Sequence, residues 1–164
     1  MKQAISFTIN GTKQTLEVEP DAMLIDIIRD QLKLTGTKRG CDNSTCGSCV
    51  IIIDGRAIKS CNLPASKANG STIFTVEGMT KGMSLHPVQQ ALVESGAIQC
   101  GFCTPGIVME LVALFQTKPD SSEDEIKVAL NRHLCRCTGY EPIIVGALNA
   151  QKEGMKSIEN IGKN

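Results

Sequence analysis

The sequence predicts a two-part fold, an α+β unit followed by a bundle of short helices, and three observations carry that prediction. Up to about residue 76, apolar and polar residues alternate around Asn-Gly and Asp-Gly turns. Beyond Pro87 the apolar residues recur at steps of three and four. Between these stretches, Glu77 to Leu85 holds two Gly, two Met and no clear period, so the domain boundary is placed there, giving residues 1–78 and 79–164.

Ile5, Phe7 and Ile9 alternate with polar neighbours, Asn10-Gly11 supplies residues that tolerate positive φ, and Leu16 and Val18 alternate on the way out, so an N-terminal hairpin is expected. After Pro20-Asp21, the residues Leu24, Ile27, Ile28 and Leu32 line one helical face, with Asp21 as the expected N-cap. Residues 35–47 are rich in Gly, Ser, Thr, Asn and Cys without a period and read as a loop wrapped around something. Val50 to Ile53, Asp54-Gly55 and Arg56 to Ser60 make a second hairpin, and Thr72 to Val76 a last short strand.

In the second part, Val88, Ala91 and Leu92 form a helical stripe closed by Gly96. Thr104-Pro105 offers an N-cap and an N1 proline for a helix bearing Ile107, Val108, Leu111, Val112 and Phe115. Ser122-Glu123-Asp124-Glu125 fits a capping box ahead of Ile126, Ala129, Leu130 and Leu134. The acidic run complements the positive end of a helix and needs no ligand to explain it. A fourth helix is expected from Pro142 past Ile144 and Leu148, with a polar tail that frays after Lys152.

The 164 residues carry 17 Lys plus Arg against 17 Asp plus Glu. With no cation excess, binding to nucleic acid or to an anionic membrane surface is disfavoured. The apolar runs fall far short of the roughly 20 residues that span a bilayer. No apolar signal stretch opens the chain, so a cytoplasmic protein is expected. Aromatic residues are only 3%. A core so short of large rings, divided between two small units, needs help beyond apolar burial. Eight cysteines are the obvious source. Disulfide frameworks belong to small secreted chains, whereas closely spaced thiols in a reducing compartment more often hold metal.

The cysteines sort into two quartets. Cys41, Cys46, Cys49 and Cys61 are spaced C-x4-C-x2-C-x11-C, whose first three members match the plant-type 2Fe-2S pattern. Gly40 and Gly47 suit the tight turns of such a loop, although ordinary loop glycines would read the same. Cys100, Cys103, Cys135 and Cys137 are spaced C-x2-C-x31-C-x-C, one pair before a helix and one after another, so a single metal centre could bridge them at one end of the bundle. Zinc competes for this second quartet, because two thiolate pairs also make a tetrahedral site. A thiol-exchange role for Cys100 and Cys103 lacks its usual βαβ context. His86 and His133 are not required as ligands and read as ordinary helix or loop residues. No phosphate loop or catalytic triad pattern is present, so the chain has no group expected to transform a substrate by itself.

The segments Gly40 to Cys49, Gln99 to Gly106 and Leu134 to Tyr140 together resemble the iron–sulfur subunit of molybdenum hydroxylases, the xanthine oxidase family, along nearly the whole chain from about Ile5 to about Ala150. The resemblance implies a β-grasp ferredoxin-like domain followed by a four-helix bundle, each holding one 2Fe-2S cluster. It implies partner subunits, a large one with molybdopterin and a medium one with FAD, between which the clusters relay electrons. It also implies that Gln99 and Cys137 approach the pterin, Cys137 being an iron ligand as well. Plant-type clusters would start near about −400 mV before local tuning.

Two departures stand out. Asp42 and Ser44 occupy positions where the family often has Gly, a form similar to the carbon monoxide dehydrogenase small subunits, and Arg132-His133 replaces the usual Gly-Asn before Leu134. The rival readings are a zinc-stabilised adaptor and a free-standing two-cluster ferredoxin.

Overall fold

The computed structural model describes residues 1–80 and 82–154. The expected frayed tail lies, from residue 155 on, outside the described residues. The N-terminal part builds a five-stranded mixed sheet in the order β2-β1-β5-β3-β4. β1 (Gln3–Ile9) and β2 (Thr12–Val18) form the expected hairpin, Ile5 opposite Leu16. β3 (Val50–Ile53) and β4 (Arg56–Lys59) form the second. β5 (Thr72–Phe74) joins the two hairpins, parallel to β1 and antiparallel to β3. It stops short of Val76 because Thr75 turns its N–H to the Asn10 Oδ1 (2.9 Å) and its hydroxyl accepts from the Asn10 amide (2.9 Å), tying the strand end to the first turn.

α1 (Leu24–Asp26) continues into a single widened turn, Ile27–Gln31. Its cap is not Asp21. Met23 holds the N-cap position without a side-chain hydrogen bond, because the backbone supplies the partner: Leu24 N–H donates to Leu63 O at 2.8 Å. Leu24, Ile25, Ile27 and Ile28 are all buried.

The two cores share a wall. All of β3 is buried, and its residues alternate: Ile51 and Ile53 join the core under α1 with Ile5, Phe7 and Ile73, whereas Val50 and Ile52 join the helical core with Ile107, Leu111 and Phe115. A strand buried on both faces reads as a continuous apolar run, as Val50 to Ile53 does. The small sheet and the small helical part thereby lean on one another, which answers the shortage of aromatic bulk.

α2 (Pro87–Glu94), α3 (Thr104–Thr117), α4 (Glu123–Leu130) and α5 (Glu141–Gly154) follow. α2 packs on α5 and α3, and α4 packs on α3 and α5, while α3 also covers β3 and β4. His86 caps α2: its Nδ1 accepts from Val88 N–H at 3.2 Å and the Gln89 side chain accepts from His86 N–H at 2.9 Å. On α3 the N-cap is Cys103 rather than Thr104, since Cys103 O already accepts from Ile107 N–H at 3.2 Å. The capping box of α4 forms as read, Ser122 Oγ accepting from Glu125 N–H and Glu125 Oε2 accepting from Ser122 N–H at 2.8 Å.

Replacing Ser122 by Ala is expected to lower stability by about 1 kcal/mol, the usual loss of an N-cap, measurable by urea unfolding. The Lys118 ammonium and the Ser122 N–H hold the Glu125 carboxyl down at about 2. A depressed acid stabilises the fold above its ordinary range near 4.5 and loses that effect as pH falls through about 2. A Glu125→Gln variant should therefore melt below the parent at pH 6, with the gap closing between pH 4.5 and 2. A gap independent of pH would contradict this.

Candidate metal centres

The first quartet is assembled from a loop and a strand end. Cys41, Cys46 and Cys49 lie in the turns between α1 and β3, and Cys61 follows β4. The β3–β4 pairing sets the last pair together: Ser60 N–H donates to Cys49 O at 3.2 Å, Ser60 Oγ donates to the same oxygen at 2.8 Å, and the Sγ atoms of Cys49 and Cys61 are 3.2 Å apart. The other two thiols associate as well, with the Cys46 N–H directed at Cys41 Sγ at 3.5 Å. That N–H is the main reason the Cys41 thiol is held down at about 7, whereas burial pushes Cys49 up to about 11. Ser44 stands in the left-handed region at φ 59°, which explains why a glycine suits that position. Its hydroxyl lies 3.5 Å from Cys61 Sγ, and Lys59 Nζ donates to its carbonyl at 2.6 Å.

The second quartet forms where the start of α3 meets the segment after α4. Its thiols pair across the two motifs rather than within them. Cys100 and Cys137 have their Sγ atoms 3.6 Å apart, and the Cys103 and Cys135 thiols neighbour and influence one another. Burial drives the Cys103 thiol up to about 12. Burial also opposes ionisation of Cys135, but the Thr138 hydroxyl, 3.1 Å from its Sγ, and neighbouring N–H groups outweigh it and lower the value. Cys103 is buried while Cys100 and Cys137 are exposed. Gln99 is exposed beside Cys100 at the same surface.

Each quartet therefore offers one close pair of thiols, Cys49 with Cys61 and Cys100 with Cys137, with the remaining cysteines gathered beside it. Two thiolates on one tetrahedral metal at about 2.3 Å lie roughly 3.8 Å apart, close to the spacings seen. Among the described residues, no three His, Cys, Asp or Glu side chains converge as one metal ion requires. Pairs of soft donors with N–H and hydroxyl donors aimed at sulfur fit a dinuclear iron–sulfur group, whose ligands are shared two to each iron.

The quartets touch through their backbones. Leu134 N–H donates to Cys46 O at 2.9 Å, so the residue before Cys135 is bonded to a residue of the first quartet. Gly47 (φ 74°) allows it: a Cβ there would strike the Arg132 carbonyl and come within 2.6 Å of His133 Nδ1. Gly106 of α3 is equally tight, since a Cβ there would strike the Gly47 carbonyl. The Phe102 ring, between Cys100 and Cys103, crosses to lie against Gly40 of the first loop.

Three participants were not recognised from the sequence. His133, read as an ordinary residue, has a fully buried side chain whose Nε2–H donates to Glu110 Oε2 at 3.1 Å. Glu110 gave no signal because it sits within an apolar helix stripe. Tyr140, the single tyrosine, donates its hydroxyl to His133 O at 2.9 Å and accepts from Cys135 N–H at 2.9 Å, closing the second loop.

Comparison with known proteins agrees with this arrangement. Residues 7–73 match the 2Fe-2S iron-sulfur cluster binding domain and residues 75–148 the 2Fe-2S binding domain. The nicotinate dehydrogenase small FeS subunit of Eubacterium barkeri is 40% identical over 139 residues, covering 85% of this chain and 88% of that one. The chain belongs to the iron–sulfur small subunits of the molybdenum hydroxylases. Members of this family are the non-catalytic, electron-transferring subunits of molybdenum-dependent dehydrogenases and hydroxylases, and the family's two 2Fe-2S domains account for both halves of the sequence. Crystal structures place the fold in the same family. Quinoline 2-oxidoreductase from Pseudomonas putida 86 superposes with a TM-score of 0.85 at 40% identity, covering 93% of this chain and 98% of that one. Aldehyde oxidoreductase from Desulfovibrio gigas gives 0.88 at 36% identity, covering 97% of this chain but only 18% of that one. The small-subunit unit thus corresponds to a minor part of that longer relative.

Gly47→Ala is expected to destabilise by more than about 1 kcal/mol, because both its positive φ and the lack of space oppose a side chain. The loss should appear in thermal melts together with a lowered iron content. A variant melting with the parent would contradict the close approach.

Proposed function

We propose that this chain relays single electrons between a molybdopterin site on a large subunit and FAD on a medium subunit, through a 2Fe-2S cluster on each quartet. The observation that supports it best is two complete thiol quartets whose loops are joined by the Cys46–Leu134 hydrogen bond, on a chain with no substrate-transforming group. Cys41, Cys46, Cys49 and Cys61 would hold one cluster and Cys100, Cys103, Cys135 and Cys137 the other. Bound there, each cluster supplies a site that takes up and returns one electron. The chain's own part is to fix the separation of the two sites, to keep water from the buried thiols, and to set the charge environment of the sulfurs. Gln99 and Cys137, exposed together, are assigned to the face that meets the pterin-bearing subunit.

The same reading gives residues 1–78 as a β-grasp domain and 79–164 as a four-helix bundle, working in the cytoplasm as part of a hetero-oligomer. The mixed sheet with α1 packed beneath it supports the first assignment and the mutual contacts of α2 to α5 the second. No helix among the described residues is long and apolar enough to cross a membrane.

The deciding experiment is iron, zinc and acid-labile sulfide per chain on anaerobically purified protein, with EPR after dithionite reduction. About four iron and four sulfide with two distinct signals are expected for two 2Fe-2S clusters. Zinc without sulfide would overturn the relay in favour of an adaptor. Stable isolation as a monomer without molybdenum or flavin partners would favour a free ferredoxin. Cys46→Ser should remove one EPR signal and spare the other.

The hydroxyls beside the sulfurs give a finer expectation. A hydrogen bond to a ligand sulfur favours the reduced, more negative state. Ser44→Ala should therefore make the first cluster's potential more negative by roughly 40 mV, equivalent to about 1 kcal/mol for one electron, with the second unchanged. Thr138→Val should likewise make the second cluster's potential more negative and leave the first unchanged, and potentiometric EPR titration reads both.

A further inference from the structure

Glu110 is the one acidic residue in the buried set among the described residues, and it sits in α3 between Met109 and Leu111, both fully covered. Its carboxylate faces the segment after α4: His133 Nε2 is 3.1 Å away and the half-exposed Arg132 guanidinium 3.6 Å away. A carboxylate is found in such a place only when it is paired, so the pair holds a geometry that an apolar contact would leave free to slide.

His133 is fastened on three sides. Its Nε2–H points to α3, its ring lies on the Cα of Gly47 between Cys46 and Ser48, and its carbonyl takes the Tyr140 hydroxyl that also receives Cys135 N–H. The next residue, Leu134, makes the hydrogen bond to Cys46 O. The His133 imidazole thus joins α3, through Glu110, to Gly47 of the first loop, while the backbone of the same residue takes the Tyr140 hydroxyl of the second. With the ring held against Gly47, the backbone that follows it, bonded to Cys46 O through Leu134 N–H, is held close to the first loop as well.

We infer that His133 and Glu110 are positioning residues, a buried carboxylate–imidazole pair that sets the separation and coupling of the two cluster sites. The inference rests on the electron-relay reading. Its role differs from plain stabilisation in a way that experiment can resolve. An apolar pair of similar volume often replaces a buried polar pair without loss of stability, but it cannot fix the orientation of a ring through a directional bond.

The test uses the cluster-loaded protein in the complex in which it is purified. The variants are His133→Leu, His133→Gln and the double variant Glu110→Leu with His133→Leu. For each, iron and sulfide content, melting temperature, and the magnetic interaction between the two reduced clusters are measured, the last as splitting or relaxation enhancement in EPR. His133→Gln keeps a donor for Glu110 and should keep the interaction. His133→Leu should lose it, and the melting temperature should fall because the carboxylate is left unpaired. The double variant should regain the melting temperature without regaining the interaction. Recovery of both in the double variant would overturn the inference and leave the pair a packing element. A wild-type interaction in fully loaded His133→Leu would also overturn it. If His133→Leu does not fold, the double variant still decides. Absence of iron and sulfide from the parent protein would instead overturn the relay reading and remove the basis of this one, so the two failures are told apart by the parent sample alone.

Discussion

Two backbones meet at Gly47 with no room for a methyl group, and most of the architecture serves to bring them there. The Arg132 carbonyl and the His133 ring close on it from one side and Gly106 of α3 from the other. Such proximity is possible only if α3 is pressed onto β3 by the shared core, and Val50 and Ile52 supply that pressure. Each buried isoleucine or valine contributes on the order of 1.5–3 kcal/mol, enough to outweigh the ordering of the loops that the contact demands. The loops themselves bury little apolar surface and would not find this geometry alone.

The same contact explains why polar groups are tolerated so deep. Burying Glu110 without a partner would cost several kcal/mol, more than any one capping interaction returns. Arg132, half exposed and 3.6 Å away, offsets little of that in a solvated setting, so the burden falls on the His133 hydrogen bond. Tyr140 then satisfies two further backbone groups of the second loop with one hydroxyl, although its own backbone lies at φ 73°, an uncommon position for an aromatic residue. Strain here is compensated by hydrogen bonds made nearby.

Most of the fold was legible from pattern alone. Alternation gave both hairpins, and Ser122 with Glu125 gave the start of α4, but the expected stripe ran on to Leu134, which lies beyond the helix end at Leu130 and is exposed. The misreadings have local causes: Asp21 was bypassed because Leu63 offers a carbonyl to α1, and β5 stopped early because Asn10 captures Thr75. The cysteine spacing gave two quartets but not the pairing within the second. Neighbours in sequence, Cys100 and Cys103, each turn to a partner more than thirty residues away, since a helix start spreads them apart while the segment after α4 approaches between. His133 and Glu110 were beyond reach of single-sequence reasoning, because a buried carboxylate–imidazole hydrogen bond is a relation between two elements and leaves no period in either. The one hint was the bulky Arg132-His133 where the resembling family is small.

Burial orders the thiols along the molecule. Cys46, Cys49 and Cys103 are enclosed where the two parts meet, Cys41, Cys61 and Cys135 are half covered, and Cys100 and Cys137 reach the surface. On the proposed relay, exposed sulfur at one end would face a partner subunit, whereas sulfur enclosed at the junction is kept from the water that would screen a charge there. An uncoupled pair of domains on a tether could hold the same eight thiols and gain none of this. The shared strand, the two crowded glycines and the buried pair therefore do one thing together: they hold two separately recognisable cysteine motifs against one another through directly bonded backbones.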